Sequence, residues 1–427
     1  MTARRSLVTD GSVYRKTELR NGLRIVTETL PAVRSVAIGV WIDVGSRHET
    51  PEENGLSHFV EHMLFKGSKN RTAKELASSL ENLGGSLNGF TSREQTCYYA
   101  RVLDEHLPMA VEVLADLTCN PTLTATHVNR EKQVVCEEIK EALDNPSDKI
   151  HDVFSRTFWG KHPLGQPIMG SQENIRSLTR PRVVDFVKKH YRSGSIVIAA
   201  CGSVDHDRLV KMVRKYFHFT DGMVTPPIQA NPPLSLKKNI ERNDNKQTNL
   251  CMGFPALAYE SSERMVMLAL SSYLGGGMSS VLFQKIREDR GLAYSVYSFN
   301  DFYRDTGIFG IYLGTDSKHL RKAVDVVLTE ARLIKRNKLT SSQLGQLKSQ
   351  LKGHLILSQE STNSRMNRLA RQELLIGGYQ PLTEMVVDIE EVSAKRIQDL
   401  AHQVLDESRA VVAVLGPVGK GALDGAI

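Results

Sequence analysis

Cysteine is scarce in this 427-residue sequence. The five present (Cys97, Cys119, Cys136, Cys201, Cys251) are odd in number, far apart and never spaced C-x-x-C. That excludes a disulfide framework or a cysteine metal cage and suits reduced, buried thiols. Aromatic residues are only 6% of the chain, and basic runs such as Arg4-Arg5, Lys188-Lys189 and Lys237-Lys238 are short and mixed with acids. The net charge of +7 is therefore dispersed, and no nucleic-acid partner is expected from it. No run approaches the ~20 apolar residues of a membrane span, and MTARRSLVTDGSVYRK has no apolar stretch of the ~7–15 residues a secretory signal needs. The expectations are no membrane partner and a cytoplasmic location. Gly275-Gly276-Gly277 is followed by Met278-Ser279-Ser280, so the lysine of a phosphate-binding G-x-x-x-x-G-K-[ST] loop is missing too.

What is present is a folded chain: 41% hydrophobic and 24% charged residues is a globular balance. Its length exceeds the ~100–200 residues of one domain, so two or three cores are expected. A shift of 214 residues lays Ile175-Arg176-Ser177-Leu178-Thr179 on Ile389-Glu390-Glu391-Val392-Ser393. The same shift lays Val183, Asp185 and Phe186 on Ile397, Asp399 and Leu400, and the run 196–202 on 410–416. Each copy thus carries a Thr/Ser-capped amphipathic helix and then a buried β-run ending at glycine, the pattern of a duplicated domain.

Between the copies, the segment 222–233 holds four prolines, which can neither continue a helix nor donate to a ladder. The expected division is residues 1–221, a linker 222–235, and 236–427. The order of elements matches earlier in each copy as well. The first has a helix near Ala73–Leu83, a strand pair near Ser86–Val102 and a helix from Glu105; the second has a helix near Ser280–Asp289, strands near Ala293–Leu313 and a helix from Lys318. Hairpins interleaved with helices predict an α+β fold with a largely antiparallel sheet in each copy.

The chemistry concentrates in Gly55–Phe65, which contains H-x-x-E-H on a segment of helical apolar spacing with Ser57 as its candidate cap. His58 and His62 are about 40° apart around a helix and can reach one cation, while Glu61 lies about 60° from His58 on the adjoining face. Zinc in a catalytic site usually takes three protein ligands, so a carboxylate is needed from elsewhere. The helix expected over 129–145 has an apolar stripe of Val134, Val135, Ile139 and Ala142, into which Glu131 and Glu138 fall. Carboxylates aimed at a core must be paired or bound to a cation. Glu138 is the expected third ligand, with Glu131 as its supporting or alternative partner.

These residues resemble the inverzincin peptidases of the pitrilysin/insulinase class, especially bacterial proteins similar to the mitochondrial processing peptidase. The resemblance covers nearly the whole chain. It rests on His58–Gly67, Val134–Ile139, Gly84-Gly85-Ser86-Leu87-Asn88 with Thr91-Ser92, and Gly275–Ser280 followed by Leu282-Phe283 and Arg287 to Tyr294. It implies a two-domain clam-shell peptidase, usually dimeric, acting on unfolded peptides. His58, His62 and Glu138 would bind zinc, and Glu61 would activate water. Arg287 and Tyr294 would meet the substrate carbonyl, both being hydrogen-bond donors.

In the family, the strand matching Asn88-Gly89-Phe90-Thr91 is an open edge that pairs with substrate backbone, with Gly89 standing where alanine is common. Phe59 is a candidate for a pocket beside the scissile bond. A glycine-rich loop and a zinc motif in one chain favour a homodimer over an obligate heterodimer. The second copy's matching helix, near Glu263–Leu274, has no histidine, so one zinc ion per chain is expected. The competing reading is a catalytically minor scaffold or subunit of the same fold.

Overall fold

The computed structural model of the chain describes residues 4–9, 11–244 and 246–426; the expected domain ends at residues 1 and 427 lie outside them. Seven strands form the first sheet: β1 (Arg4–Thr9), β2 (Ser12–Glu18), β3 (Arg24–Thr29), β4 (Ser35–Ile42), β5 (Ser86–Thr91), β6 (Thr96–Leu103) and β7 (Ile196–Gly202). Their spatial order is β1-β2-β3-β7-β4-β6-β5. Only the β3/β7 pair is parallel; the other neighbours run antiparallel. A second, five-stranded sheet contains β8 (Lys237–Arg242), β9 (Thr248–Ala256), β10 (Ala293–Phe302), β11 (Gly307–Thr315) and β12 (Val411–Gly416), in the order β10-β11-β9-β12-β8.

The duplication read from the sequence is written into this topology. In the first sheet β7 pairs parallel with β3 and antiparallel with β4; in the second, β12 pairs parallel with β8 and antiparallel with β9. The order β5-β6-β4-β7-β3 therefore recurs as β10-β11-β9-β12-β8. The fold is α+β with two sheets, as the hairpin-and-helix pattern predicts. Strands β7 and β12 are buried at every residue, which is why both read as unbroken apolar runs rather than alternating ones.

Five helices of the first half are α1 (Leu56–Leu64), α2 (Ala73–Glu81), α3 (Leu107–Cys119), α4 (Ala125–Asp144) and α5 (Pro146–Trp159). The chain divides into two compact units that depart from contiguous halves in two places. The first comprises residues 1–139, 166–228 and 356–383; the second comprises 140–165, 229–355 and 384–427. No helix or strand lies between residues 221 and 236, and the division at 228 falls inside that proline-rich stretch.

In the first unit, the helix Thr362–Ile376 packs Met366, Leu369, Ala370 and Leu374 against Val26, Ala37, Trp41 and Val197 of the sheet. Polar clamps flank this contact. Buried Glu28 meets Arg365 at 2.7 Å and Arg368 at 3.1 Å, and buried Glu373 meets Lys16 at 2.7 Å. In the second unit, α5 packs Ile150, Phe154 and Phe158 against Cys251, Val411 and Ala413. An amphipathic helix announces that it needs an apolar surface but not which sheet supplies it, so the exchange is invisible in the periodicity.

Candidate metal centre

Helix α1 forms because its apolar residues recur with helical period. Leu56, Phe59, Val60, Met63 and Leu64 are buried, an i, i+3, i+4, i+7, i+8 stripe that faces the first core. His58, Glu61 and His62 occupy the opposite face. The start of the helix differs from expectation: Ser57 lies within its first turn, and the cap position is Gly55 at φ +98°. A Cβ at Gly55 would approach the Met169 carbonyl oxygen to 2.6 Å, so only glycine fits that left-handed turn.

Buried Glu49 supplies the missing cap. Its carboxylate accepts from the backbone N–H groups of Gly55 (2.8 Å) and Ser57 (2.5 Å) and from the Asn54 amide (3.2 Å). It thereby satisfies donors that a helix start leaves open. Burial pushes Glu49 up to about 7, against the pull of those donors. Sequence reasoning missed this residue because an acceptor eight positions before its donor leaves no local capping pattern.

Helix α4 brings two more carboxylates to α1. Glu138 Oε2 lies 3.5 Å from His62 Nε2 and 3.9 Å from His58 Nε2, and one donor atom from each of the three side chains falls within 4.8 Å of the others. The side chains of His58, His62 and Glu138 are 11%, 23% and 43% exposed, so the cluster is reachable from solvent. Glu131, two turns earlier and buried, accepts from His62 Nδ1 (2.9 Å) and from Lys66 Nζ (2.9 Å). That bond leaves Nε2 of His62 as the lone-pair nitrogen turned toward Glu138. The apolar stripe of α4 is Val128, Val135, Cys136 and Ile139 around Glu131. Val134, expected in the stripe, is instead exposed.

The electrostatics follow from these contacts. Burial, reinforced by the neighbouring His62, holds His58 down at about 4 and so keeps it neutral. For His62, burial acts downward but is outweighed by the Glu131 hydrogen bond and the charges of Glu138, Glu131 and Glu61, and its pKa is raised. Burial raises Glu61, and the hydroxyl of Thr91, donating to Oε2 at 2.6 Å, opposes that rise. Burial also acts upward on Glu131, but its hydrogen bonds to His62 and Lys66 prevail and lower it.

Zinc fits this donor set. Ligand bonds of about 2.0–2.1 Å in tetrahedral geometry place donor atoms roughly 3.3 Å apart; the two Glu138–histidine separations are 3.5 and 3.9 Å, and all three donor atoms lie within 4.8 Å of one another, so binding would draw the side chains inward. Glu138 Oε2, the oxygen facing both Nε2 atoms, is moreover a buried atom with no hydrogen-bond partner among the described residues, an arrangement that a cation would relieve.

The remaining expected residues fall in different places. Phe59 is fully buried in the first core, on the apolar stripe of α1 that faces away from His58 and Glu61. Strand β5 is the last strand of its sheet, paired only with β6, so one backbone edge is open among the described residues. Phe90 packs on the other side of the sheet, edge-on to Trp41 at 5.4 Å. Asn88 Oδ1 accepts the backbone N–H of Gly89 at 2.8 Å. In the second unit the guanidinium of Arg287 lies over the rings of Phe283 (4.8 Å) and Tyr294 (5.3 Å), and Tyr294 is 75% exposed.

H-x-x-E-H on one helix, met by a carboxylate from another in a two-sheet α+β chain, defines the class: a two-unit protein with one candidate metal cluster among the described residues. The sequence pattern of the insulinase family, peptidase family M16, matches residues 24–172, and that of the peptidase M16 inactive domain matches residues 177–351. A relative from Bacillus subtilis, the uncharacterized zinc protease YmxG, is 42% identical over 94% of this chain and 97% of its own length. Another uncharacterized zinc protease, from Streptomyces coelicolor, is 38% identical over 95% of this chain and 90% of its own. Among solved structures, a protease from Helicobacter pylori superimposes with a TM-score of 0.88 at 22% identity, covering 95% of this chain and 99% of that one. The chain belongs to the insulinase family of peptidases, family M16. The half matched by the inactive-domain pattern is the one whose corresponding helix, Arg264–Gly275, has no histidine.

Proposed function

We propose that the protein is a zinc metalloendopeptidase that hydrolyses peptides or extended precursor segments. The observation that carries this reading is the convergence of His58 Nε2, His62 Nε2 and Glu138 Oε2 beside Glu61. Those three residues would hold one zinc ion per chain, with Glu131 orienting His62. When bound, zinc supplies Lewis acidity and lowers the pKa of a water toward ~7. Glu61 accepts the proton of the attacking water and passes it to the departing amine, a role suited to a carboxylate whose pKa burial has raised.

Substrate would enter as an added strand on the open edge of β5, where Asn88, Gly89, Phe90 and Thr91 offer main chain rather than side-chain pockets. In this reading the Asn88 side chain must first release the Gly89 N–H. By family resemblance, Arg287 and Tyr294 would donate to the substrate carbonyl, the chain would act as a homodimer, and its compartment would be the cytoplasm. Among the described residues, no helix is long and apolar enough to cross a membrane.

The test is cleavage of a quenched fluorescent peptide mixture, with chelation and zinc add-back. Loss on chelation and recovery with zinc is expected, and Glu61→Gln should retain zinc while losing turnover. Turnover by Glu61→Gln equal to that of the unmodified chain would remove the proposed base.

A further inference from the structure

Given the peptidase reading above, on which this rests, we propose that Thr91 is a positioning residue for Glu61, so that the strand offered to substrate also aims the base. The first ground is the path of the Glu61 side chain. Alternation along β5 turns Leu87, Gly89 and Thr91 to one face. A Cβ placed on Gly89 would come within 3.3 Å of Glu61 Cγ and 3.1 Å of Phe65 Cε2. The Glu61 stem therefore crosses the strand over residue 89, and its carboxylate ends at residue 91.

There Thr91 Oγ1 donates to Oε2 at 2.6 Å, the length of a charge-assisted bond. Among the described residues it is the only hydrogen bond this carboxylate makes, so Oε1 stays available for a proton. Thr91, expected from the sequence as a substrate contact, turns its hydroxyl to the base.

The second ground is the stiffness of the mount. Threonine is β-branched and restricted at χ1, so its hydroxyl moves with the strand. Thr91 closes the β5/β6 ladder opposite Thr96, directly before a tight turn in which Ser92 N–H donates to the Gln95 carbonyl at 2.7 Å. That turn is anchored in turn by the buried pair Arg47–Glu94 at 2.6 Å. A peptide added to the free edge of β5 would hold in place the strand that holds Glu61.

The experiment compares the full-length, zinc-loaded protein with Thr91→Val and Thr91→Ser. Valine keeps the shape and strand preference while deleting the hydroxyl; serine restores it. In Thr91→Val, kcat should fall about tenfold to a hundredfold, as loss of one hydrogen bond to a charged group implies, with KM within about twofold. The zinc dissociation constant, measured by chelator competition, should not move, and Thr91→Ser should recover most of kcat. In a Glu61→Gln background, adding Thr91→Val should leave the affinity for the fluorescent peptide unchanged.

Raised KM and weaker peptide affinity at constant kcat would overturn the proposal by making Thr91 a substrate contact. An unchanged kcat, or a loss that serine does not restore, would overturn it as well. An unmodified chain that neither binds zinc nor cleaves peptide would remove the peptidase reading and this one together. Cleavage by the unmodified chain with Thr91→Val unaffected would remove this one alone.

Discussion

Glu131→Gln tests the division of labour between the two carboxylates of α4. Glu131 is 3% exposed and has both oxygens engaged, one by His62 Nδ1 and the other by Lys66 Nζ, each at 2.9 Å. Glutamine keeps one acceptor. If its oxygen stays on His62 Nδ1–H, its amide group faces the Lys66 ammonium, two donors in a buried place, and the negative charge that makes the imidazole a better ligand is gone. Loss of such a support weakens metal binding about 10–100-fold, or about 1.4–2.7 kcal/mol. Glu131→Ala, which also frees the ring to change tautomer, belongs at the upper end of that range. Chelator competition on the full chain measures it, with the solvent-facing Glu137→Gln on the same helix as the control and Glu138→Gln as the larger loss. Zinc affinity of Glu131→Gln within about twofold of the unmodified protein would refute the reasoning, and a loss exceeding that of Glu138→Gln would reverse the ligand assignment.

His190 is buried, held at about 3 mainly by that burial, with both ring nitrogens lacking hydrogen-bond partners among the described residues and its ring 4.3 Å from that of Phe186. A depressed histidine binds protons preferentially when unfolded, so stability present above pH 6.5 should drain away as pH falls toward 3, by about 2 kcal/mol at pH 5. His190→Phe should flatten that decline in thermal melts at pH 5 and pH 8; equal slopes would contradict it. Glu49→Gln must turn an amide toward a backbone N–H at the start of α1, costing about 1–3 kcal/mol. It should speed hydrogen exchange at the first turn of α1, and unaltered exchange there would argue against the cap. Glu28→Ala removes the buried carboxylate that faces Arg365 and Arg368 and should cost about 3–5 kcal/mol, seen as earlier melting and quicker proteolysis within 356–383; resistance equal to the unmodified chain would count against the clamp.

The candidate metal cluster was legible because helical periodicity is local. His58, Glu61 and His62 sit within one turn or so of each other, and the seven-residue spacing of Glu131 and Glu138 already places them on one face of a second helix. The duplication was legible because two copies of a pattern corroborate one another. Glu49 was not, since its partners are brought to it by a turn through Pro51 and Gly55 rather than by periodicity. Phe59 was ambiguous for another reason: a phenylalanine between apolar neighbours has the same local pattern in a core as at a pocket wall, and only the packing decides. Val134 shows the same limit at the rim of α4, where a shift of one position along a helix, about 100°, separates interior from solvent.

The exchanged helices have a consequence for how this chain can be divided. Severing it in the proline-rich stretch would give two polypeptides of nearly equal length, each containing a complete set of strands for its own sheet. The N-terminal piece would lack the helix Thr362–Ile376 that covers Val26, Trp41 and Val197, leaving Glu28 without Arg365 and Arg368. The C-terminal piece would lack α5, uncovering Cys251 and Val411. Neither half is then a self-sufficient folding module despite its ancestry as one copy of a repeat. Soluble zinc-binding material is expected only when both pieces are produced together and reconstitute, each donating the helix the other requires.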